Sequence, residues 1–338
     1  MARILRFAAI LSFICLAFGI LQAQKPSKNI EVVVPKTYMA PGIEASRSLQ
    51  AILNSAVTET LNSFASKGFK SEELAATLID LRDPSNFRMA EIRGNQRIYP
   101  ASVVKLFYLA ALERQLEDGK ITVTPELTRG IHDMIVDSSN EATQYILDVI
   151  TGTSSGAELP QKKFEAWQYK RNRVNRFYTS LGYTNINTNQ KTFCEDAYGI
   201  EQQSRKYNGE NRNMLTTNAV ARLLSEIVLG RMANAEHTSQ MMMLLKRDPF
   251  SPPTDPEDQA HAFTGKLFID RKMTDAKIWS KAGDTSKTRH DAAYIETADG
   301  LKFVLVVFTE NHANEKEPIP IIAGKVIDGL RNSQNRER

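Results

Sequence analysis

The stretch Ile98–Leu116, IYPASVVKLFYLAALERQL, decides how the rest of the chain is read. Pro100 leads into a long apolar run, which predicts a helix over Ser102–Glu117 closed near Gly119. Ser102 and Lys105 fall at its start, and an i, i+3 spacing puts both on one helix face. A lysine beside a serine can take its proton if burial or a neighbouring cation lowers the amine's pKa. The helix N-terminus adds positive potential where negative charge develops. S-x-x-K by itself is weak, because a serine cap followed by a solvated lysine gives the same letters.

Outward from this helix, the chain alternates between patterns. Ser46–Ser66 repeats Leu49, Ile52, Leu53, Val57 and Leu61 at three- and four-residue steps, a helix with Ser46 or Ser48 as cap. Ala75–Leu81 and Arg88–Ile92 are expected strands, separated by the turn residues Arg82-Asp83-Pro84-Ser85. Helices are expected over Pro125–Val136, Ser139–Ile150, Pro160–Leu181, Thr216–Leu229 and His237–Lys246. Residues 182–212 are polar and without a period, and 249–256 are proline-rich. Three strands follow, Ala276–Ser280, Ala292–Thr297 and Leu301–Thr309, with a hairpin signal at Asp299-Gly300 and a last helix over Ile319–Asn332.

Strands near both chain ends with helices between them predict an α+β fold. One antiparallel sheet is built from N- and C-terminal strands and flanked by helices, and an all-α lobe is inserted into it. The expected unit is 46–332, with an α/β lobe of 46–98 and 262–332 and an all-α lobe of 99–261. A site belongs in the cleft where the lobes meet.

Residues 1–23 are expected to be a secretory signal peptide: Arg3 and Arg6 precede the apolar run Phe7–Leu21, which is short for a membrane span. Residues 24–45 then form an extended segment. The formal charge of +4 is slight for 338 residues and does not suggest a nucleic-acid partner. Cys194 is the one cysteine outside the signal, so no internal disulfide is expected. A periplasmic or secreted monomer is the expected state.

Two further motifs give the S-x-x-K its weight. Ser138-Ser139-Asn140 precedes a helix, and Lys281-Ala282-Gly283 closes a strand. S-x-x-K, S-D-N and K-T-G together mark class A β-lactamases and penicillin-binding proteins. Ile98–Leu116, Met134–Gly152 (MIVDSSNEATQYILDVITG) and Ile278–Ile295 (IWSKAGDTSKTRHDAAYI) resemble the three motif regions of that superfamily. The resemblance runs in order of elements from about Ser46 to Leu330. It implies Ser102 as nucleophile, Lys105 in the base network and Ser138 as relay to the leaving nitrogen. It also implies Asn140 on the substrate's amide, and Lys281 as the positive charge for Ser138 and a substrate carboxylate. The Ser102 and Asp284 N–H groups would form the oxyanion hole, Gly283 would allow close approach, and Arg289 would be a second carboxylate anchor.

Three departures stand out. Ser139 replaces the usual aspartate, and Ala282 replaces a Thr or Ser whose hydroxyl would meet the carboxylate. No E-x-x-x-N follows in the long loop, where a glutamate and an asparagine would hold the deacylating water. Glu195, Glu201 and Glu210 are the glutamates there, and Glu195 has the best setting. No cofactor is expected. No metal is expected either, because His132, His237, His261, His290 and His312 show no ligand pairing. Met241–Met243 are expected as core filler and the basic segment 160–181 as a solvated face over buried aromatics. The motif Gly152-Thr153-Ser154-Ser155-Gly156 follows a helix and is expected to be its cap rather than a nucleophile elbow.

The expected partner is a small-molecule β-lactam or a peptidoglycan-like peptide, acylating Ser102. The alternatives are a D,D-peptidase, transpeptidase or esterase on the same fold, and a non-catalytic binding protein on that scaffold.

Overall fold

The computed structural model describes residues 29–193, 196–253, 255 and 257–337. The expected signal peptide, Cys194 and Glu195 lie outside the described residues. A seven-stranded sheet forms the centre: β1 Ile43–Ala45, β2 Leu74–Asp80, β3 Phe87–Ile92, β4 Lys246–Arg247, β5 Lys277–Asp284, β6 Thr288–Glu296 and β7 Lys302–Glu310. Their order is β1-β3-β2-β7-β6-β5-β4. The short β1 runs parallel to β3, and the other neighbours are antiparallel. The sheet is therefore mixed, with its N- and C-terminal strands joined through β2 and β7.

Both faces of the sheet are covered, which explains why its strands are apolar without a break. In β7, Phe303, Leu305 and Val307 enter one core, and Val304, Val306 and Phe308 enter the other. The first core is closed by helix α1 (Arg47–Ser63) through Leu49, Leu53 and Val57, and by the C-terminal helix Pro318–Glu337 through Ile322, Val326 and Leu330. Ser46 caps α1, its Oγ accepting from the Leu49 N–H.

On the opposite face lie α2 Lys105–Glu117, α3 Pro125–Ile135, α4 Asn140–Thr151, α5 Gln161–Arg171, α6 Arg173–Ser180, α7 Ile200–Arg205, α8 Thr217–Val228 and α9 Ala235–Leu245. Helix α10 (Thr264–Asp270) precedes β5, and Pro318–Glu337 is α11. Every residue of α2 from Lys105 to Gln115 is buried, so this helix is the axis on which the others pack. No helix of the described residues is long and apolar enough to cross a membrane.

Three local expectations change. The basic segment 160–181 is two helices, broken at Asn172. Its aromatics Phe164, Phe177 and Tyr178 are buried, but so are Arg171 and Arg173. The Arg171 guanidinium donates to both Glu201 oxygens (2.9 and 2.8 Å) and to Asp148 Oδ1 (3.0 Å), while Lys191 Nζ bonds Asp148 Oδ2 at 2.5 Å. Two cations and two carboxylates thus balance inside the protein, tying α5 and the long loop to α4. Among the three methionines, Met241 is core but Met243 is exposed.

Breaking a buried charge set by removing one partner leaves the others uncompensated, at a cost of about 3–5 kcal/mol. Arg171→Met is therefore expected to lower the melting temperature by about 5–15 °C. An unchanged thermal melt would show that the cluster contributes nothing to stability.

Candidate active site

Ser102 does not open the α-helix directly. Ala101–Val104 form one 3-10 turn that runs into α2, and Ala101 adopts a positive φ of 45° to enter it. A non-glycine residue in that region stores strain and persists only where the surroundings fix it. Here they do. Pro100, Ser102 and Val103 press on Gly283 of β5: a Cβ there would lie 2.7 Å from the Ser102 nitrogen and 2.9 Å from the Pro100 oxygen. Only glycine allows this approach. His290 pins the preceding residue, donating from Nε2 to the Tyr99 carbonyl (2.9 Å) while its Nδ1 accepts the Thr309 N–H (3.1 Å). Burial pushes its pKa down to about 4, so it works as a neutral brace.

Lys105 is fully buried at the first position of α2. Its amine donates to the Ser138 carbonyl (2.5 Å), Ser138 Oγ (3.2 Å) and Asn140 Oδ1 (3.1 Å). Lys281, also fully buried, donates to the same Ser138 Oγ at 2.9 Å. One hydroxyl therefore bridges two lysine amines. Ser138 holds it there from a left-handed conformation, φ 57°. Burial, then the positive charges of Lys105 and Arg247, hold the Lys281 pKa well below that of a free lysine.

Ser139, in the place of an aspartate, caps α4: its Oγ accepts the Ala142 N–H at 3.1 Å. Serine and aspartate serve equally as N-caps, which explains the exchange. On β5, Ala282 N–H points to the strand edge not paired with β6 and donates to Gln259 Oε1 at 3.1 Å. Alternation along a strand sends the Asp284 N–H to that same edge.

Several expected residues are not brought together. Arg289 lies on the face of β6 opposite to Lys281; its Nη2 donates to the Ala262 carbonyl (2.6 Å) and its guanidinium stacks on Phe263 at 4.0 Å. By the same register it shares the face of Ala282 and Asp284 on β5. Glu201 is buried in the ion pairs described above and also accepts from Ser155 Oγ (2.9 Å), so it offers no free carboxylate. Glu210 is exposed beside Arg212, and Glu195 lies outside the described residues. The Ala282 methyl is 3% exposed and belongs to the core shared with Phe263. A hydroxyl restored there would meet apolar atoms, so Ala282→Thr is expected to destabilise by about 1–3 kcal/mol. Such a loss, read from a denaturant midpoint, replaces the gain in capture that the K-T-G pattern suggests.

Two residues escaped the reading of the sequence. Gln259 accepts from Lys281 Nζ (2.5 Å) and the Ala282 N–H, and donates to the Ile135 and Val136 carbonyls (3.0 and 2.9 Å). Arg247 donates to the Ile135 carbonyl (3.1 Å) and the Ser280 carbonyl (2.9 Å). Both sit in polar stretches with no period to single them out. Among the described residues, His132, Asp133 and Asp137 bring possible metal-ligand atoms within 4.8 Å of one another, but at the surface and as an ordinary His–Asp contact.

The close seat of Gly283 has a consequence. Gly283→Ala is expected to shift the Ser102 backbone and, where Ser102 is the nucleophile that the resemblance implies, to lower its rate of covalent labelling about 10²-fold, as misplacements near 1 Å do. A rate within threefold of the parent would show that the contact can relax.

A family model, the beta-lactamase enzyme family, matches residues 56–326. Among solved structures, a beta-lactamase from Sphaerobacter thermophilus superposes with a TM-score of 0.59 at 19% identity, covering 81% of this chain and 97% of that one. PBP-A superposes at 0.58 with 15% identity, covering 87% and 100%. A class A beta-lactamase representative from Bacteroides cellulosilyticus gives 0.58 with 14% identity, covering 85% and 100%. These likenesses speak to the fold. No curated protein matches the chain. A family model that spans most of the sequence, over a fold of the same kind, is decisive: the chain belongs to the beta-lactamase enzyme family.

Proposed function

We propose that this chain is an exported serine hydrolase that forms an acyl-enzyme at Ser102 with β-lactams or related amides. The observation that carries the reading is the Ser138 hydroxyl held between the amines of Lys105 and Lys281. A hydroxyl so placed passes a proton to a leaving nitrogen and recovers one from a lysine. Ser102 attacks the carbonyl, and its proton goes to the base network that contains Lys105. The carbonyl oxygen, now negative, lies between the N–H groups of Ser102 and Asp284, with Gly283 allowing that approach. Asn140 contributes to substrate binding beside Lys105. Export rests on Arg3, Arg6 and the run Phe7–Leu21, with 46–332 as the catalytic unit.

A D,D-peptidase or penicillin-binding role is the second reading. The engagement of Glu201 in buried ion pairs favours it. Intact mass after incubation with a penicillin separates the two. A transient adduct supports lactamase turnover, a lasting one the peptidase reading. If no adduct forms while a fluorophosphonate still labels Ser102, the substrate is of another class.

A further inference from the structure

We propose that the cleft between α5, α6 and the long loop 182–212 binds a neutral saccharide, at a site separate from Ser102. Amide N–H groups are held open there on a cavity of about 510 Å³ that Tyr169 and Tyr207 border, a size that suits a small ligand. Long polar loops are often functional, and this one gives Asn187, Asn189 and Asn211 to the wall. The orientation of the amides is fixed from the backbone outward. The Thr188 N–H donates to Asn175 Oδ1 at 2.7 Å, so the Asn175 nitrogen must face the other way. That nitrogen donates to Asn172 Oδ1 (2.7 Å) and Asn187 Oδ1 (2.6 Å). Asn172 Oδ1 also accepts from Asn189 Nδ2 at 3.0 Å. The Asn172 nitrogen is thereby turned outward, and it has no partner among the described residues. Gln168 repeats the pattern. It is 4% exposed, and its Oε1 accepts from Ser204 Oγ at 2.7 Å. Its amide nitrogen has no partner among the described residues and is not sealed from the cavity. A buried amide with unmade hydrogen bonds is costly unless an oxygen of water or of a ligand meets it.

The lining selects the chemistry of the ligand. Arg97 and Arg176 are matched by Glu165 and Glu210, so the cavity has no net charge to draw an ion. Two of the four are also engaged outside it, Arg176 with Glu31 (2.7 Å) and Glu165 with Gln161 (2.7 Å). None of the lining residues belongs to the sheet, so an extended peptide finds no strand edge to pair with. A hydroxyl group both accepts and donates, and the wall offers both. Asn172 and Gln168 present N–H groups, while Asn187 Oδ1 and Asn211 Oδ1 each accept one donor and keep a lone pair for an O–H. The Tyr169 ring, held against the Arg176 guanidinium at 3.9 Å, is 62% exposed at the rim. An exposed aromatic ring of this kind takes the C–H face of a pyranose. A neutral polyhydroxy ring meets both demands at once.

The test is a ligand-observed NMR titration of the full chain with cellotriose and with chitotriose, both neutral. Saturable binding of at least one is expected. Tyr169→Ala should weaken it about fivefold or more, and Tyr169→Phe, which keeps the ring, should leave it within about twofold. Asn172→Ala should weaken it about fivefold through the lost N–H donors. Tyr169 is exposed, so its variants decide the matter even where Asn172→Ala fails to fold. No binding of either sugar at about 10 mM, where a millimolar complex is nearly saturated, overturns the proposal. So does an affinity that Tyr169→Ala leaves unchanged, which puts the sugar elsewhere on the protein. Ser102→Ala is expected to bind the sugar as the parent does, and a loss of binding there would place the sugar at Ser102 and overturn the proposal as well. None of these outcomes turns on whether a penicillin labels Ser102.

Discussion

Ser102→Ala is expected to abolish covalent capture of a β-lactam, by about 10⁴-fold or more, while the thermal melt stays near that of the parent. The size follows from the chemistry: without the hydroxyl no acyl-enzyme forms, and what survives is binding plus the oxyanion donors. The fold should be indifferent, because Ser102 is half-buried at a 3-10 turn whose position is set by Gly283, Pro100 and His290 rather than by its own side chain. The check is intact mass with a penicillin and with a fluorophosphonate. Continued labelling of the alanine variant would place the nucleophile elsewhere.

The second large effect concerns release. On the proposed reading acylation needs a nucleophile, a base and oxyanion donors, with Ser102 as the first, while Lys105 and Lys281 both bond the Ser138 hydroxyl. Deacylation needs in addition a water held on the ester by a free carboxylate. Glu201, which its position in the long loop allowed, is spent on Arg171, Lys191 and Ser155. Losing general-base help typically costs about 10²–10⁴ in rate, so the acyl-enzyme should accumulate. The expected trace is a burst of one product equivalent followed by a slow phase. Glu201→Gln should leave that trace unchanged and lower stability instead, since it disturbs a buried charge set. If turnover is fast and without a burst, another group holds the water, and Glu195 is the first to test: Glu195→Gln should then trap the adduct. If Glu201→Gln traps it, the ion-paired carboxylate must free itself during the reaction, and Glu201 is catalytic rather than structural.

What could be read from the sequence is what local chemistry fixes. Leu49, Leu53 and Val57 repeat at helical steps because one face of α1 must be apolar, and Asp299-Gly300 marks a hairpin because few residues accept that turn. Ser102, Lys105, Ser138 and Lys281 were legible as a set because their spacing travels with the fold. The meeting of Lys105 and Lys281 at the Ser138 hydroxyl nevertheless depends on α2, α4 and β5 converging. The parallel pairing of β1 carried no such signal, since three residues are too few to show a period.

The sequence alone thus determined the order of the longer helices and strands, though not β1, β4, α7 or α10, and it named candidate groups for the chemistry. Tertiary structure alone decided which of those groups are free to act. Glu201 has the right side chain in a plausible place, but it is neutralised by Arg171, 30 residues away in sequence. Gln259 has no motif at all and yet holds Lys281. The reason is physical: the state of a buried polar group is set by the partners that packing brings to it from distant parts of the chain, and no local pattern encodes them.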